Sequence, residues 1–164
     1  MLINIELDDV YIYHTSYMSN ITFKSGDLLN SRCHALVNTV NCVGVMGKGI
    51  ALSFKNKYPT MFLEYKRDCA LGQVKIGELM YYTVRDDDHI IVNFPTKKHW
   101  RNNSDIEYIH KGLKYFVDNY QKWNIGSIAF PKLGCTNGGL HWSDVKPIMI
   151  SYLSQVTIPV EIYE

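Results

Sequence analysis

The stretch Ala35-Leu36-Val37-Asn38-Thr39-Val40-Asn41-Cys42-Val43-Gly44-Val45-Met46-Gly47-Lys48-Gly49-Ile50-Ala51 decides the fold. Its first six residues are nearly continuously apolar, as expected for a strand buried on both faces. They run into a glycine-rich loop, and a helix follows over about 49–57. Tyr58-Pro59 stops it, because proline disfavours helical geometry in its predecessor. The pattern recurs further on. Ser127-Ile128-Ala129-Phe130 reads as a short buried strand and Pro131-Lys132-Leu133-Gly134-Cys135-Thr136-Asn137-Gly138-Gly139-Leu140-His141-Trp142 as a second glycine-rich loop. Ser143 then opens a helix carrying Val145, Ile148, Met149, Tyr152 and Leu153. Strands alternating with helices predict an α/β fold in three layers, with a mixed, mostly parallel central sheet and helices on both faces.

Outward from these two units the remaining elements follow. Ile21-Thr22-Phe23 is a strand ending at Ser25-Gly26-Asp27. Thr60 can cap a helix with Phe62, Leu63 and Tyr65 that ends near Leu71-Gly72. Residues 78–84 and 89–94 form a strand pair across the charged turn Arg85-Asp86-Asp87-Asp88. Ser104 or Asp105 caps an amphipathic helix striped by Ile109, Leu113, Phe116 and Val117. Residues 158–163 form the last strand. Alternation from Leu2 to Tyr17 predicts one or two extra N-terminal strands. With no repeat or linker, 1–164 reads as one domain, with 1–19 as an extension and 20–164 as its core.

Composition narrows the function. The 164 residues include 12 Tyr, 6 Phe and 3 Trp and are 46% hydrophobic, enough to fill a core. That excludes a disordered chain. Lys+Arg at 17 against Asp+Glu at 16 leaves a net charge of +1, so a polyanion-coating protein is excluded and any nucleic-acid contact needs a local patch. No apolar run approaches the ~20 residues of a membrane helix, so no membrane partner is expected. Cys33, Cys42, Cys69 and Cys135 lack CxxC spacing and the histidines lack HxxxH, so neither a zinc site nor another metal is expected. The opening residues read as no secretory leader, and reduced thiols in a cytoplasm are the expected state.

The loops suggest the chemistry. Glycine lets backbone amides approach an anion, and a helix start adds unpaired N–H groups and a favourable dipole. Two such loops on one edge of a parallel sheet can clamp a diphosphate, outside the carboxyl ends of the strands. The common nucleotide motifs fail. For GxxxxGK[ST] the Gly44–Gly47 spacing is too short and Gly49 follows Lys48; for GxGxxG, Leu52 stands at the third glycine.

Residues 37–51, with Phe94-Pro95-Thr96-Lys97-Lys98-His99-Trp100-Arg101 and Gly134-Cys135-Thr136-Asn137-Gly138-Gly139-Leu140, strongly resemble the macrodomain family. They look like the branch containing the terminal ADP-ribose glycohydrolases and the macrodomain of the DarG antitoxin, which removes ADP-ribose from thymidine in single-stranded DNA. The resemblance spans about residues 20–164. It implies an ADP-ribose pocket that needs no cofactor, with ADP-ribose as ligand and product. Asp27 would accept the adenine amino group, or serve as a helix cap, or both. Asn38 and Asn41 would line the distal ribose; the plainer reading is a turn at the strand end. Gly47, Lys48, Gly49 and Ile50 would meet one phosphate, Lys48 staying solvated. Gly134, Cys135, Thr136, Asn137, Gly138, Gly139 and Leu140 would wrap the other phosphate and the distal ribose.

Lys97 is implied as the catalytic residue. It leaves a buried strand at the ligand edge beside Lys98, His99 and Arg101. Positive neighbours and partial burial lower a lysine's pKa and supply neutral amine to attack C1 of the distal ribose, through a Schiff-base-like adduct. A charged Lys97 stabilising the departing base is the alternative. The related human enzyme carries an acidic residue at the place of Gly138, which argues here against a protein-glutamate substrate. Thr136 stands where relatives usually carry glycine, predicting a tighter loop or an altered phosphate contact. Lys97 to Arg101 mix cations with an aromatic, as a surface tracking a phosphate backbone and stacking a base would; Trp100 could equally anchor the core. Cys42 and Cys135 read as packing residues. The expected activity is reversal of DNA ADP-ribosylation, with ADP-ribosylated single-stranded DNA as substrate and a DarT-like toxin as partner. Alternatives are hydrolysis of protein-linked ADP-ribose or its derivatives, and a non-catalytic ADP-ribose reader.

Overall fold

A computed structural model describes residues 20–164, and the strands expected over 1–19 lie outside the described residues. Six strands form one sheet: β1 (Ile21–Lys24), β2 (Ala35–Asn41), β3 (Met80–Thr83), β4 (Ile90–Lys97), β5 (Ile128–Phe130) and β6 (Val160–Tyr163). Their order is β1-β6-β5-β2-β4-β3. Every pairing is parallel except β3 with β4. Four helices flank it: α1 (Gly49–Lys57), α2 (Pro59–Ala70), α3 (Ile106–Asn119) and α4 (Trp142–Leu153).

The period of two along each strand sorts the core into two layers. Val37, Val92, Phe94, Ile128 and Phe130 pack with Ile109, Leu113 and Phe116 of α3 and with Val145, Met149 and Leu153 of α4. On the opposite face, Leu36, Val40, Ile91 and Ala129 pack with Phe54 of α1 and Met61 and Tyr65 of α2. One glycine sets a helix close to the sheet. A Cβ at Gly112 of α3 would lie 2.2 Å from the Phe94 ring, so only glycine lets α3 settle against β4.

Several boundaries differ from the expectation, β3, β5 and β6 being shorter at their ends. Tyr58, not Thr60, caps α2, and Pro59 takes the first helical position, where a missing N–H costs nothing. His141 caps α4, placing Trp142 as its first residue and Ser143 inside it. Of the two caps offered for α3, Asp105 does the work, its Oδ1 accepting from the Glu107 N–H at 2.9 Å. Finally, β4 runs on through Pro95 to Lys97. Proline is tolerated there because β3 pairs only with residues Ile90 to Asn93, so that among the described residues one side of β4 is unpaired beyond.

Candidate active site

Because β1, β6, β5, β2 and β4 are mutually parallel, their carboxyl ends share one edge, and a cleft of about 640 Å³ crosses that edge. Its walls follow the strand order. Gly26, Asp27 and Leu28 come after β1, Tyr163 and Glu164 end β6, and Pro131 to Gly138 follow β5. Asn41, Gly47, Lys48 and Ile50 follow β2, while Thr96, Lys97 and Trp100 end and follow β4. β1, which leads to Asp27, and β4, which ends at Lys97, are four strand spacings apart, about 19 Å at ~4.8 Å each. The volume is that of a site for a whole small molecule.

Lys97 reaches the cleft through a bulge. Val40 pairs with Pro95 but Asn41 pairs with Lys97, so Thr96 is an extra residue on β4. Bulges of this kind re-aim a side chain at a strand end. The Lys97 Nζ donates to the Trp100 carbonyl at 3.4 Å. Partial burial pushes the lysine below its ordinary pKa, and the positive charge of Lys48 adds to this. The acting charge therefore comes from the first glycine loop, and not from Lys98, His99 or Arg101 as their adjacency in sequence suggested.

The first loop is shaped by Asn41. Its Oδ1 accepts from the Val43 and Val45 N–H groups at 3.1 and 3.3 Å, and its Nδ2 donates to the Val45 carbonyl at 2.7 Å. The Tyr65 hydroxyl donates to the same Oδ1 at 2.9 Å or to the Asn41 carbonyl at 2.7 Å. Asn41 lines the cleft, but its amide is spent on the turn. Asn38 does not line it. Fully buried, it donates from Nδ2 to Asn93 Oδ1 at 3.2 Å, across the β2–β4 ladder. Its position within a strand covered on both faces takes it out of the cleft and into the core.

The second loop is shaped by missing side chains. A Cβ at Gly138 would lie 2.3 Å from both the Gly134 carbonyl oxygen and Ser104 Oγ. No carboxylate fits at this position. Gly134 has φ +71°, a conformation that favours glycine. Among the described residues Asn124 alone has a positive φ without being glycine, so Thr136 occupies ordinary backbone and fits where it stands. The two loops touch at Gly49, where a Cβ would lie 2.7 Å from Asn137 Nδ2.

Of the other expected residues, Asp27, Gly47, Lys48, Ile50, Gly134, Cys135, Thr136, Asn137 and Gly138 line the cleft. Gly49, Gly139 and Leu140 do not line it: Gly49 and Gly139 are exposed, and Leu140 packs on the core. Asp27 caps the short 3-10 helix Leu28–Asn30, its Oδ1 accepting from the Leu29 N–H at 3.0 Å. Burial pushes the Cys42 and Cys135 thiols up, which fits packing rather than nucleophilic roles. Trp100 is 45% exposed and is no core anchor. Sequence reasoning missed Thr39, Thr96, Lys132, Tyr163 and Glu164 in the walls. Most of them end or directly follow a parallel strand, a signal that could have found them. Among the described residues no group of three or more His, Cys, Asp or Glu could hold a metal ion, and no helix is long and apolar enough to cross a membrane.

A sheet of this order with glycine loops over its carboxyl edge defines a class: the chain belongs to the macrodomain family, whose Macro domain model matches residues 37–149. More particularly, it is similar to a Mycobacterium tuberculosis protein named DNA ADP-ribosyl glycohydrolase, 50% identical over 138 residues, covering 83% of this chain and 39% of that one. The solved macrodomain of Mycobacterium tuberculosis DarG superposes with a TM-score of 0.84 at 49% identity, covering 87% of this chain and 96% of that one. Thermosipho africanus DarTG in complex with ADP-ribose gives 0.84 at 38% identity, covering 90% and 42%. The chain thus spans about two fifths of the length of the curated relative it matches.

Proposed function

We propose that this chain is a hydrolase that removes ADP-ribose from DNA, from thymidine in a single strand, with Lys97 as the reacting amine. The observation that carries the reading is Lys97 at one end of a cleft whose other end holds Asp27, with both glycine-rich loops between them. That order matches ADP-ribose taken end to end: adenine at Asp27, the diphosphate against the loops, the distal ribose at Lys97. A DarTG structure holding ADP-ribose and a relative named for DNA ADP-ribosyl hydrolysis support the same ligand and bond. The proposal extends to a place and a partner: the cytoplasm, where a DarT-like transferase would attach the group that this chain removes. It involves no cofactor.

In the proposed step the neutral Lys97 amine bonds to C1 of the distal ribose while the bond from C1 to the base breaks. The base leaves with the proton that the amine loses. Opening of the sugar ring sends the C1–O electron pair to the ring oxygen, which takes a proton from water, and leaves a protonated imine; hydroxide from that water adds to C1, and collapse releases ADP-ribose and restores the neutral amine. Burial and the Lys48 charge both raise the neutral fraction of Lys97. Turnover should therefore rise with pH and level off below the ordinary range of lysine. A lysine acting as a cation beside the departing base would give the opposite slope. A glutamate-linked substrate is less well supported, since Gly138 has no room for an assisting carboxylate.

The test is Lys97→Ala on ADP-ribosylated oligothymidylate. Turnover should fall by roughly 10³-fold or more, the scale seen when a reacting group is removed, while calorimetry finds ADP-ribose affinity within a few-fold of wild type. Full turnover by the variant would refute the role of Lys97. A wild type that binds ADP-ribose but cleaves neither modified thymidine nor modified glutamate would make the chain a reader.

A further inference from the structure

The segment after β4 carries a feature that cleaving the sugar bond does not require. Trp100 lines the cleft beside Lys97, accepts the lysine's hydrogen bond on its carbonyl, and keeps 45% of its surface exposed. An aromatic face left open to water next to a reacting group is a surface on which a flat ring of the substrate can lie. The Arg101 guanidinium lies 4.7 Å from the indole centroid and the His99 ring 5.2 Å away, tilted by 31°. The Arg101 N–H donates to His99 Nδ1 at 3.1 Å, which ties the turn together. Lys98 extends over the Tyr108 ring at 5.7 Å. From residue 97 to 104 the chain has four basic or imidazole side chains and no acidic one.

We propose that Trp100, braced by Arg101, is a stacking platform for a nucleobase of the leaving strand, with Lys98 and Arg101 facing its phosphates. This rests on the reading of the cleft as an ADP-ribosyl hydrolase and names what lies beyond the bond that Lys97 attacks. Every base has a π-face, and stacking on an exposed aromatic beside cations is how single strands are held without reading sequence. A base inside a duplex is not available to such a platform, so Trp100 selects single-stranded, base-linked ADP-ribose over ADP-ribose linked to an amino acid. Asp27 and the glycine loops face the other half of the substrate, so the main share of Trp100 falls on the leaving group at the Lys97 end of the cleft.

The experiment compares wild type, Trp100→Ala and Trp100→Phe on three probes: free ADP-ribose, ADP-ribosylated oligothymidylate and unmodified oligothymidylate. For Trp100→Ala, ADP-ribose affinity should fall by a clearly smaller factor than turnover of the modified oligonucleotide, since Trp100 lines the cleft at its Lys97 end and the loops and Asp27 are untouched. The kcat/KM on the modified oligonucleotide should fall roughly 5- to 150-fold, the range for one stacked base, mainly through KM, and Trp100→Phe should restore most of it. Unmodified oligothymidylate should bind Trp100→Ala more weakly by a similar factor. An equal loss of ADP-ribose affinity would assign Trp100 to the ADP-ribose and overturn the platform, as would unchanged values on both oligonucleotides. If the wild type cleaves no modified oligonucleotide, the hydrolase reading fails by itself. The unmodified strand then still decides: weaker binding to Trp100→Ala supports the platform, and equal binding ends it.

Discussion

The loop after β2 and the loop after β5 stand on either side of one cleft, yet their shapes have different origins. The first is drawn in by a single polar side chain, since Asn41 bonds both Val43 and Val45 and is steadied by Tyr65. Its outer residues Val43 and Val45 remain 45% and 39% exposed. The second is drawn in by absence. Gly138 lies against the Gly134 carbonyl and Ser104, and the Ser104 N–H donates to the Gly138 carbonyl at 2.8 Å. A loop held by hydrogen bonds can lose one and sag; a loop held by close approach of backbone cannot accept even a methyl group without moving. The difference also separates their duties. The polar loop brings Lys48 to bear on Lys97, and the tight loop supplies a fixed backbone wall.

That contrast can be broken most severely in the second loop. Gly138→Ala should cost about 1–3 kcal/mol of stability through overpacking and weaken ADP-ribose binding by at least about tenfold, measured by denaturant melts and calorimetry. Gly138→Asp should do the same and rescue nothing. In the first loop Asn41→Ala removes the donor and the acceptor together. The expectation is about 1–3 kcal/mol lost with weaker ADP-ribose binding, and Asn41→Asp, which keeps the acceptor alone, should fall between the variant and wild type. Thr136→Gly sharpens the comparison from below. Because Thr136 has ordinary backbone angles, the change should alter stability by less than about 1 kcal/mol and leave ADP-ribose affinity within twofold.

Much of this arrangement was legible before the structure. Apolar strands running into two glycine-rich loops marked which edge holds the cleft. What stayed hidden depends on contacts between distant segments. The resemblance gave Asn38 a ribose-lining role, but its amide pairs with Asn93 once β2 and β4 are in register, a contact between distant segments. The charge acting on Lys97 looked local, but the sheet brings Lys48 there from a different strand end. Tyr163 and Glu164 carried no motif, and their place in the wall follows from β6 lying between β1 and β5. The run of β4 beyond Phe94 to Lys97 depends on β3 stopping at Asn93, a pairing that no local pattern in 89–94 shows.

The claim on which these readings converge is a distance. A crystal structure of this chain soaked with ADP-ribose should place the distal ribose C1 within about 3–4 Å of Lys97 Nζ, close to reacting range, with the adenine beside Asp27. A nucleotide bound in reverse, with its adenine at Lys97, or one seated away from the two loops, would contradict the account.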